Sequence, residues 1–454
     1  MPLVTEPNEE PIAAGRFGRR RAAVGGSRPV RLLAGLVGRI RDNLRDPATA
    51  LPLLLVAAFV ARIAWLNLPQ GGLIFDEAYY VNAARTILGW PVAEGAHYAG
   101  SVAGLDPNTE HPPLGKLLIA LSMVVFGDSG IGWRVPSVVA GMIALAATYR
   151  IVRASGESAR MGVLVVGILA FDNLTLVHGR IGTLDMLVLA PILVGSWLAL
   201  RGRWALSGLA MAVGLLIKIT AVYGVAAVLL LYLLQVGGRW WRDRRIPLRD
   251  LRGPTAFVLT CAVVSLIGLG VLGARYTTFA TPFDHLRRIV EYGARLEAPV
   301  ANTGFCPAAD SKPWQWTFNE CQIAYLRVDV TVRAGDEVVS SRPSIDFRGA
   351  LNPLLSGTIV VSALFAAWYA WRTGNGLARW AVAWGAASYL PFVALGIFTQ
   401  RIMYIYYLLP AMPAIAAAVA LLLTRAGLPR FVRWGFVVAY VIGWAAYFPF
   451  RQIP

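Results

Sequence analysis

Two adjacent carboxylates, Asp76 and Glu77, occur in the run Phe75-Asp76-Glu77-Ala78-Tyr79-Tyr80, just beyond the first apolar stretch. About thirty residues later comes Glu110-His111-Pro112-Pro113-Leu114-Gly115-Lys116. Acid, imidazole and amine are thus gathered near one apolar boundary of a chain otherwise poor in charge. A carboxylate pair at a lipid–water boundary suits a base that removes a proton beside a lipid-borne substrate.

Further polar side chains fall on the same side of the expected threading: Tyr80, His178, Arg180, Asp185, Lys218 and Arg401. Each has an ordinary reading. Lys116, Arg180 and Arg401 are the type that anchors a helix at a membrane interface, and His178 reads as a hydrogen-bonded helix-end histidine. Asp185 reads as a partner of Arg180 or a helix-terminus group. Glu110-His111 lacks a second close histidine for a metal site, so metal dependence stays open. Together, several cations and an acid pair suit an anionic phosphate leaving group and a nucleophile that must be deprotonated. A pump or channel would carry ionisable residues midway along its spans, and those midpoints are nearly bare.

The elements that must hold these groups follow from composition. The chain has 454 residues, is 57% hydrophobic and only 15% charged, with mean hydropathy +0.58. Soluble domains carry roughly 25% charged residues. The expected class is an all-α polytopic membrane protein. A formal charge of +17 does not signal nucleic acid, because the arginines cluster in short loops between apolar runs, as the positive-inside rule requires.

Residues 1–46 read as a basic cytoplasmic tail, without the pattern of a cleaved signal peptide, so the first apolar run is expected to stay as an anchor. Spans are expected at about 48–68, 134–151, 161–177, 184–200, 204–217, 219–236, 254–273, 354–372, 379–398, 402–424 and 431–449. The apolar run Leu117 to Phe126 is taken as non-crossing, since a crossing there would put Arg150, Arg153 and Arg160 outside. This gives a transmembrane core over 47–273 with a first outer loop at 69–133, an outer loop at 274–353, and C-terminal helices over 354–454. The N-terminus lies inside and the C-terminus outside. Cys306 and Cys321, fifteen positions apart in the large loop, are expected to form a disulfide on the oxidising side. Cys261 reads as an apolar filler.

The motif series resembles the protein O-mannosyltransferase family, glycosyltransferase family 39, which has the GT-C fold. It runs Arg62-x-x-x-x-Asn67-Leu68-Pro69, Phe75-Asp76-Glu77-x-x-Tyr80, His111-Pro112-Pro113-Leu114-Gly115-Lys116 and Arg180-Ile181-Gly182-Thr183-Leu184-Asp185. It continues with Gly214 to Lys218, Ser311-Lys312-Pro313-Trp314-Gln315-Trp316, Asn352-Pro353 and Arg401 to Pro410. The resemblance covers about 50–425. The large loop is too short for the β-trefoil domain of eukaryotic members, so the chain resembles the bacterial branch. Sister aminoarabinose–lipid A transferases usually carry Lys where this chain has His111.

The resemblance implies transfer of mannose from a polyprenyl-phosphate-mannose donor to Ser or Thr hydroxyls of an exported polypeptide, at the outer face of a bacterial plasma membrane. Asp76 is then the base, and Glu77 orients the acceptor or holds a cation. Arg180, Lys218, Arg401, His111 and Lys116 bind the donor phosphate, with Glu110, Asp185, Tyr80 and Trp314 in support. No cofactor is required by this reading, and a divalent cation stays open. Partners are the lipid-linked donor, the acceptor polypeptide and membrane lipids. A transferase moving another lipid-linked sugar to lipid A or cell-wall glycan, and a lipid or solute transporter, remain the alternatives.

Overall fold

The computed structural model describes residues 46–296, 310–335 and 337–451. The expected tail, apart from Asp46, and Cys306 lie outside the described residues.

The chain is a helical membrane protein. Among the described residues, five helices are long and apolar enough to cross a bilayer: Gly130–Ala154, Ile219–Asp243, Leu248–Tyr276, Gly376–Phe398 and Ile405–Arg425. Apolar helices of 12 to 17 residues, among them Pro47–Ile63 (α1), Ala159–Ala170 and Leu184–Leu200, pack beside them. Large apolar side chains face outward along these cylinders, for example Ile267, Leu364 and Ile442. Such surface is stable only against lipid.

Local chemistry sets where helices stop. Asp46 caps α1 by accepting from the Ala48 amide (3.1 Å), and Pro47 occupies its first turn, where a missing N–H costs nothing. The segment expected as one span over 161–177 is instead two helices. Asp172 interrupts it and caps Asn173–His178 through the Thr175 amide (3.0 Å). A buried carboxylate cannot sit unpaired in a helix interior, so it starts a new helix.

The helix Leu114–Phe126 (α3) is held by an ion pair at each end. Near its start, Lys116 pairs with Asp106 at 2.7 Å; just past its end, Asp128 pairs with Arg85 at 2.9 Å. Arg85 lies in Glu77–Leu88 (α2), the helix that opens with the acid pair. At the opposite end of the bundle, Glu157 receives Arg425 (2.8 Å) and Asn375 (2.8 Å), joining three inter-helix turns.

One departure from an all-helical chain lies in the large loop. Ile323–Ala334 (β1) and Glu337–Gly349 (β2) form an antiparallel hairpin with three register shifts. At its base β2 also pairs with the chain end, through Asp346 N–H to Pro449 O (2.7 Å) and Arg451 N–H to Ser344 O (2.9 Å). The same loop contains the helix Pro282–Arg295 (α4), opened by a Thr281–Asp284 capping box.

Candidate active site

A cavity of about 690 Å³ opens on the face that carries the acid pair. Its walls come from five parts of the chain: 76–80, 98–111, 218–223, 289–296 at the end of α4, and 392–407. Asp76 is half-buried in this wall, and its carboxylate makes no hydrogen bond or ion pair among the described residues, while its carbonyl accepts from the Tyr79 and Tyr80 amides. Burial, reinforced by the Asp185 carboxylate and opposed by Lys218, pushes its pKa up to about 7. A carboxylate so placed takes a proton near neutrality.

Glu77, one residue on, is fully buried in a different environment. Its Oε1 accepts from Arg134 Nε (2.8 Å) and the Gly182 amide (2.7 Å); its Oε2 accepts from Arg134 Nη2 (2.9 Å) and the Ile74 amide (2.7 Å). The expected roles for Glu77, orienting acceptor or cation, have no free oxygen to use. Its carboxylate instead fixes the 72–77 turn to the Arg180–Asp185 segment. Gly182 is required there, since a Cβ would meet the Trp133 carbonyl oxygen at 2.7 Å.

The five expected phosphate ligands divide. Arg401 and Lys218 line the cavity with His111. Arg401 lies in the irregular segment between Gly376–Phe398 and the 3₁₀ turn Ile405–Ala411, and its buried Nε has no hydrogen-bond partner among the described residues. Lys218 sits where Trp204–Ile217 ends in extended backbone, which turns its ammonium to Asp185 (2.7 Å) and over the Tyr406 ring (5.9 Å). His111 is neutral: burial and the Lys218 and Lys116 charges hold it well below the usual histidine range, and its Nδ1 has no hydrogen-bond partner among the described residues.

Arg180 and Lys116 are elsewhere. Arg180 is 1% exposed and donates to the Ala61 (3.1 Å) and Ala64 (2.5 Å) carbonyls, beneath the rings of Phe347 and Phe450. It closes the end of α1, whose last carbonyls have no helical donor. Lys116 is fully buried against Asp106 and donates to the His111 (2.7 Å) and Asn108 (2.5 Å) carbonyls. It shapes the loop that carries His111 and leaves no proton for a ligand.

Asp185 pairs with Lys218 rather than Arg180, and its position in the first turn of Leu184–Leu200 favours a negative charge. Glu110 accepts from Asn108 (2.9 Å) and lines the cavity, as does Tyr80. Trp314 is 47% exposed and borders a separate apolar groove. Its neighbours do the supporting instead. The Ser311 amide donates to Met403 O (2.8 Å) and the Met403 amide to Asp310 (2.8 Å), which fixes the loop bearing Arg401.

Sequence reading overlooked Arg134, the partner of Glu77, and the ring of tyrosines, Tyr79, Tyr98, Tyr223, Tyr292, Tyr404 and Tyr407, that lines the cavity. Arg134 carried a signal, because an arginine inside the apolar run that starts at Gly130 must find a buried partner. Among the described residues, no group of three or more His, Cys, Asp or Glu is placed to hold a metal ion.

Residues 110–266 match the sequence model of the dolichyl-phosphate-mannose-protein mannosyltransferase family. A polyprenol-phosphate-mannose-protein mannosyltransferase of Mycobacterium tuberculosis is 34% identical over 112 residues, 25% of this chain and 20% of that protein. The Corynebacterium glutamicum protein of the same name is 32% identical over 197 residues, 41% of this chain and 35% of its own length. The chain therefore spans a fifth to about a third of the curated relatives it matches. In structure it resembles the Saccharomyces cerevisiae Pmt1-Pmt2 complex bound to the sugar donor, with TM-score 0.62, 11% identity, and 89% and 90% of the two chains covered. It also resembles ArnT from Cupriavidus metallidurans bound to undecaprenyl phosphate, with TM-score 0.57, 18% identity, and 87% and 63% covered. The likeness to that family's sequence model thus extends over residues 110–266, and the described helices have the GT-C glycosyltransferase fold.

Proposed function

We propose that this protein transfers mannose from polyprenyl-phosphate-mannose to Ser or Thr hydroxyls of exported polypeptides, at the outer face of a bacterial plasma membrane. The observation that carries the reading is one cavity lined by a carboxylate of raised pKa, Asp76, and a cation, Arg401, with Asp76's carboxylate and Arg401's buried Nε unpartnered among the described residues. The names of the curated relatives support both substrates.

The acceptor hydroxyl gives its proton to the Asp76 carboxylate as its oxygen bonds to the anomeric carbon. The bond from that carbon to the phosphate oxygen breaks, and the lipid phosphate leaves with the electron pair. Attack from the face opposite the leaving group inverts the centre, so a β-mannosyl phosphate yields an α-mannoside. Arg401 and Lys218 stabilise the phosphate charge as it grows, and neutral His111 adds a hydrogen bond. A dry, preorganised donor of this kind typically contributes about 2.7–4 kcal/mol to the transition state. Asp185 keeps Lys218 protonated and aimed.

In this reading eleven segments cross the bilayer, the arginine-rich turns near Glu157 face the cytoplasm, and the cavity faces outward. The 274–353 loop is extracytoplasmic and Cys306 is bonded to Cys321. Cys321 is disulfide-bonded and 8% exposed, while Cys261 is a free buried cysteine. The test is incorporation of labelled mannose from purified polyprenyl-phosphate-mannose into a Thr-containing peptide by the purified protein. Transfer of aminoarabinose but not mannose, or movement of lipid without transfer, would replace the proposal.

A further inference from the structure

Asp76 follows a residue with unusual backbone. Phe75 has φ = 55°, in the left-handed region that a bulky side chain rarely enters. Such a conformation persists only where the surroundings over-determine it. Here they do: the Phe75 ring is stacked on Tyr325 (centroids 4.0 Å, planes 18° apart) and meets the edge of Tyr406 at 5.4 Å.

Tyr325 belongs to the hairpin of the large loop, nearly 250 residues away in sequence. Ala324 faces Arg348 and Leu326 faces Phe347, so Tyr325 is the extra residue of a β-bulge. Bulges re-aim side chains, often beside active sites. This one turns the ring across β2, where Gly349 leaves room; a Cβ there would stand 2.5 Å from the Tyr325 hydroxyl oxygen and 2.7 Å from Cζ. The hydroxyl then meets His178 Nε2 at 2.9 Å, and the ring is 7% exposed.

We propose that Tyr325 is a positioning residue for the transfer reaction: its ring, delivered by the bulge, braces Phe75 and so fixes the Asp76 carboxylate toward the cavity. The hairpin of the large loop thereby acts on the reacting centre without lining the cavity. The inference rests on Asp76 being the base.

The experiment uses the purified full chain and compares Tyr325→Phe, Tyr325→Leu and Gly349→Ala with the native protein and with Asp76→Asn. Tyr325→Phe keeps the stack and loses only the hydroxyl; its kcat is expected within about threefold of native. Tyr325→Leu and Gly349→Ala should lower kcat tenfold or more, with donor KM unchanged. They should also move the midpoint of the kcat–pH profile downward as Asp76 gains solvent. The groups facing Asp76 are otherwise intact in these variants: Asp185, Lys218, Tyr80, Tyr292, Tyr404 and Tyr406.

Native kcat and midpoint in Tyr325→Leu and Gly349→Ala overturn the proposal. Equal losses in Tyr325→Phe and Tyr325→Leu overturn it in favour of the hydroxyl–His178 bond. Should Tyr325→Leu fail to fold, Gly349→Ala alone decides, because it displaces the ring without removing it. Near-native transfer by Asp76→Asn would instead remove Asp76 from the base role, while absence of mannose transfer by the native protein would sink the functional reading itself.

Discussion

Replacing Asp76 by Asn should make the protein a poorer enzyme and, above neutral pH, a more stable one. The amide keeps the size of the side chain and cannot accept the hydroxyl proton, so transfer is expected to fall about 10²–10⁴-fold. The stability change follows from the raised pKa. A move from 3.8 to about 7 is about three units, and at 1.36 kcal/mol per unit it separates the two charge states by about 4 kcal/mol. Asp76 is only half-buried and lines an open cavity, so screening reduces the realised part to about 1–3 kcal/mol.

The sign follows from proton binding. Folded Asp76 holds its proton to about pH 7, whereas the unfolded chain releases it near 3.8. The folded protein thus loses stability as pH rises through that window, and the loss is complete above it. The amide does not titrate, so the advantage of Asp76→Asn should be absent near pH 4, grow to pH 7 and then level. Thermal unfolding in detergent across pH 4–8, beside mannose transfer and donor binding on the same samples, measures both effects. Near-native transfer would remove Asp76 from the base role. A stability difference that ignores pH would refute the electrostatic reasoning while leaving the catalytic one open.

Arg401→Gln should lower transfer about 10²–10³-fold through weaker stabilisation of the leaving phosphate, with an unchanged unfolding temperature; both come from the same kinetic and thermal assays. Arg180→Gln should behave in the opposite way, because it leaves the Ala61 and Ala64 carbonyls unpaired at about 1–3 kcal/mol each, and donor affinity of the folded fraction should stay native. Impermeant maleimide should leave Cys321 unlabelled until reduction and then label it from outside intact cells; labelling from the cytoplasmic side alone would reverse the threading.

The helical membrane class was legible because composition alone decides it, and arginine placement orders the turns that the structure gathers around Glu157. The non-crossing reading of Leu117–Phe126 also rested on charge, and it stays a proposal. The hairpin was not anticipated, although Val328, Val330 and Val332 alternate with Asp329, Thr331 and Arg333. In a chain dominated by long apolar runs, that short period-two signal in a polar loop was passed over. Asp172 was read as part of a span for the same reason, its capping role being hidden inside an apolar window.

Within the site, the sequence placed the acid pair and the cations on one face but could not rank them. Arg180 and Arg401 look alike as isolated arginines beside helix ends. Their difference lies in their surroundings: Arg180 meets the end of α1, more than a hundred residues away, whereas Arg401 lines the cavity and its buried Nε has no partner among the described residues. The same holds for Asp76 and Glu77, which are adjacent and chemically alike. Glu77 accepts four hydrogen bonds, two of them from a buried guanidinium, and so remains a fixed carboxylate that organises the loop. Because those contacts are consumed by Glu77, none reach Asp76, whose charge is left exposed to desolvation and to Asp185. The pair thus separates into an anchor and a base by environment alone. An anchor of this kind is what allows an unpaired carboxylate to be held at a defined place without a partner that would quench its basicity.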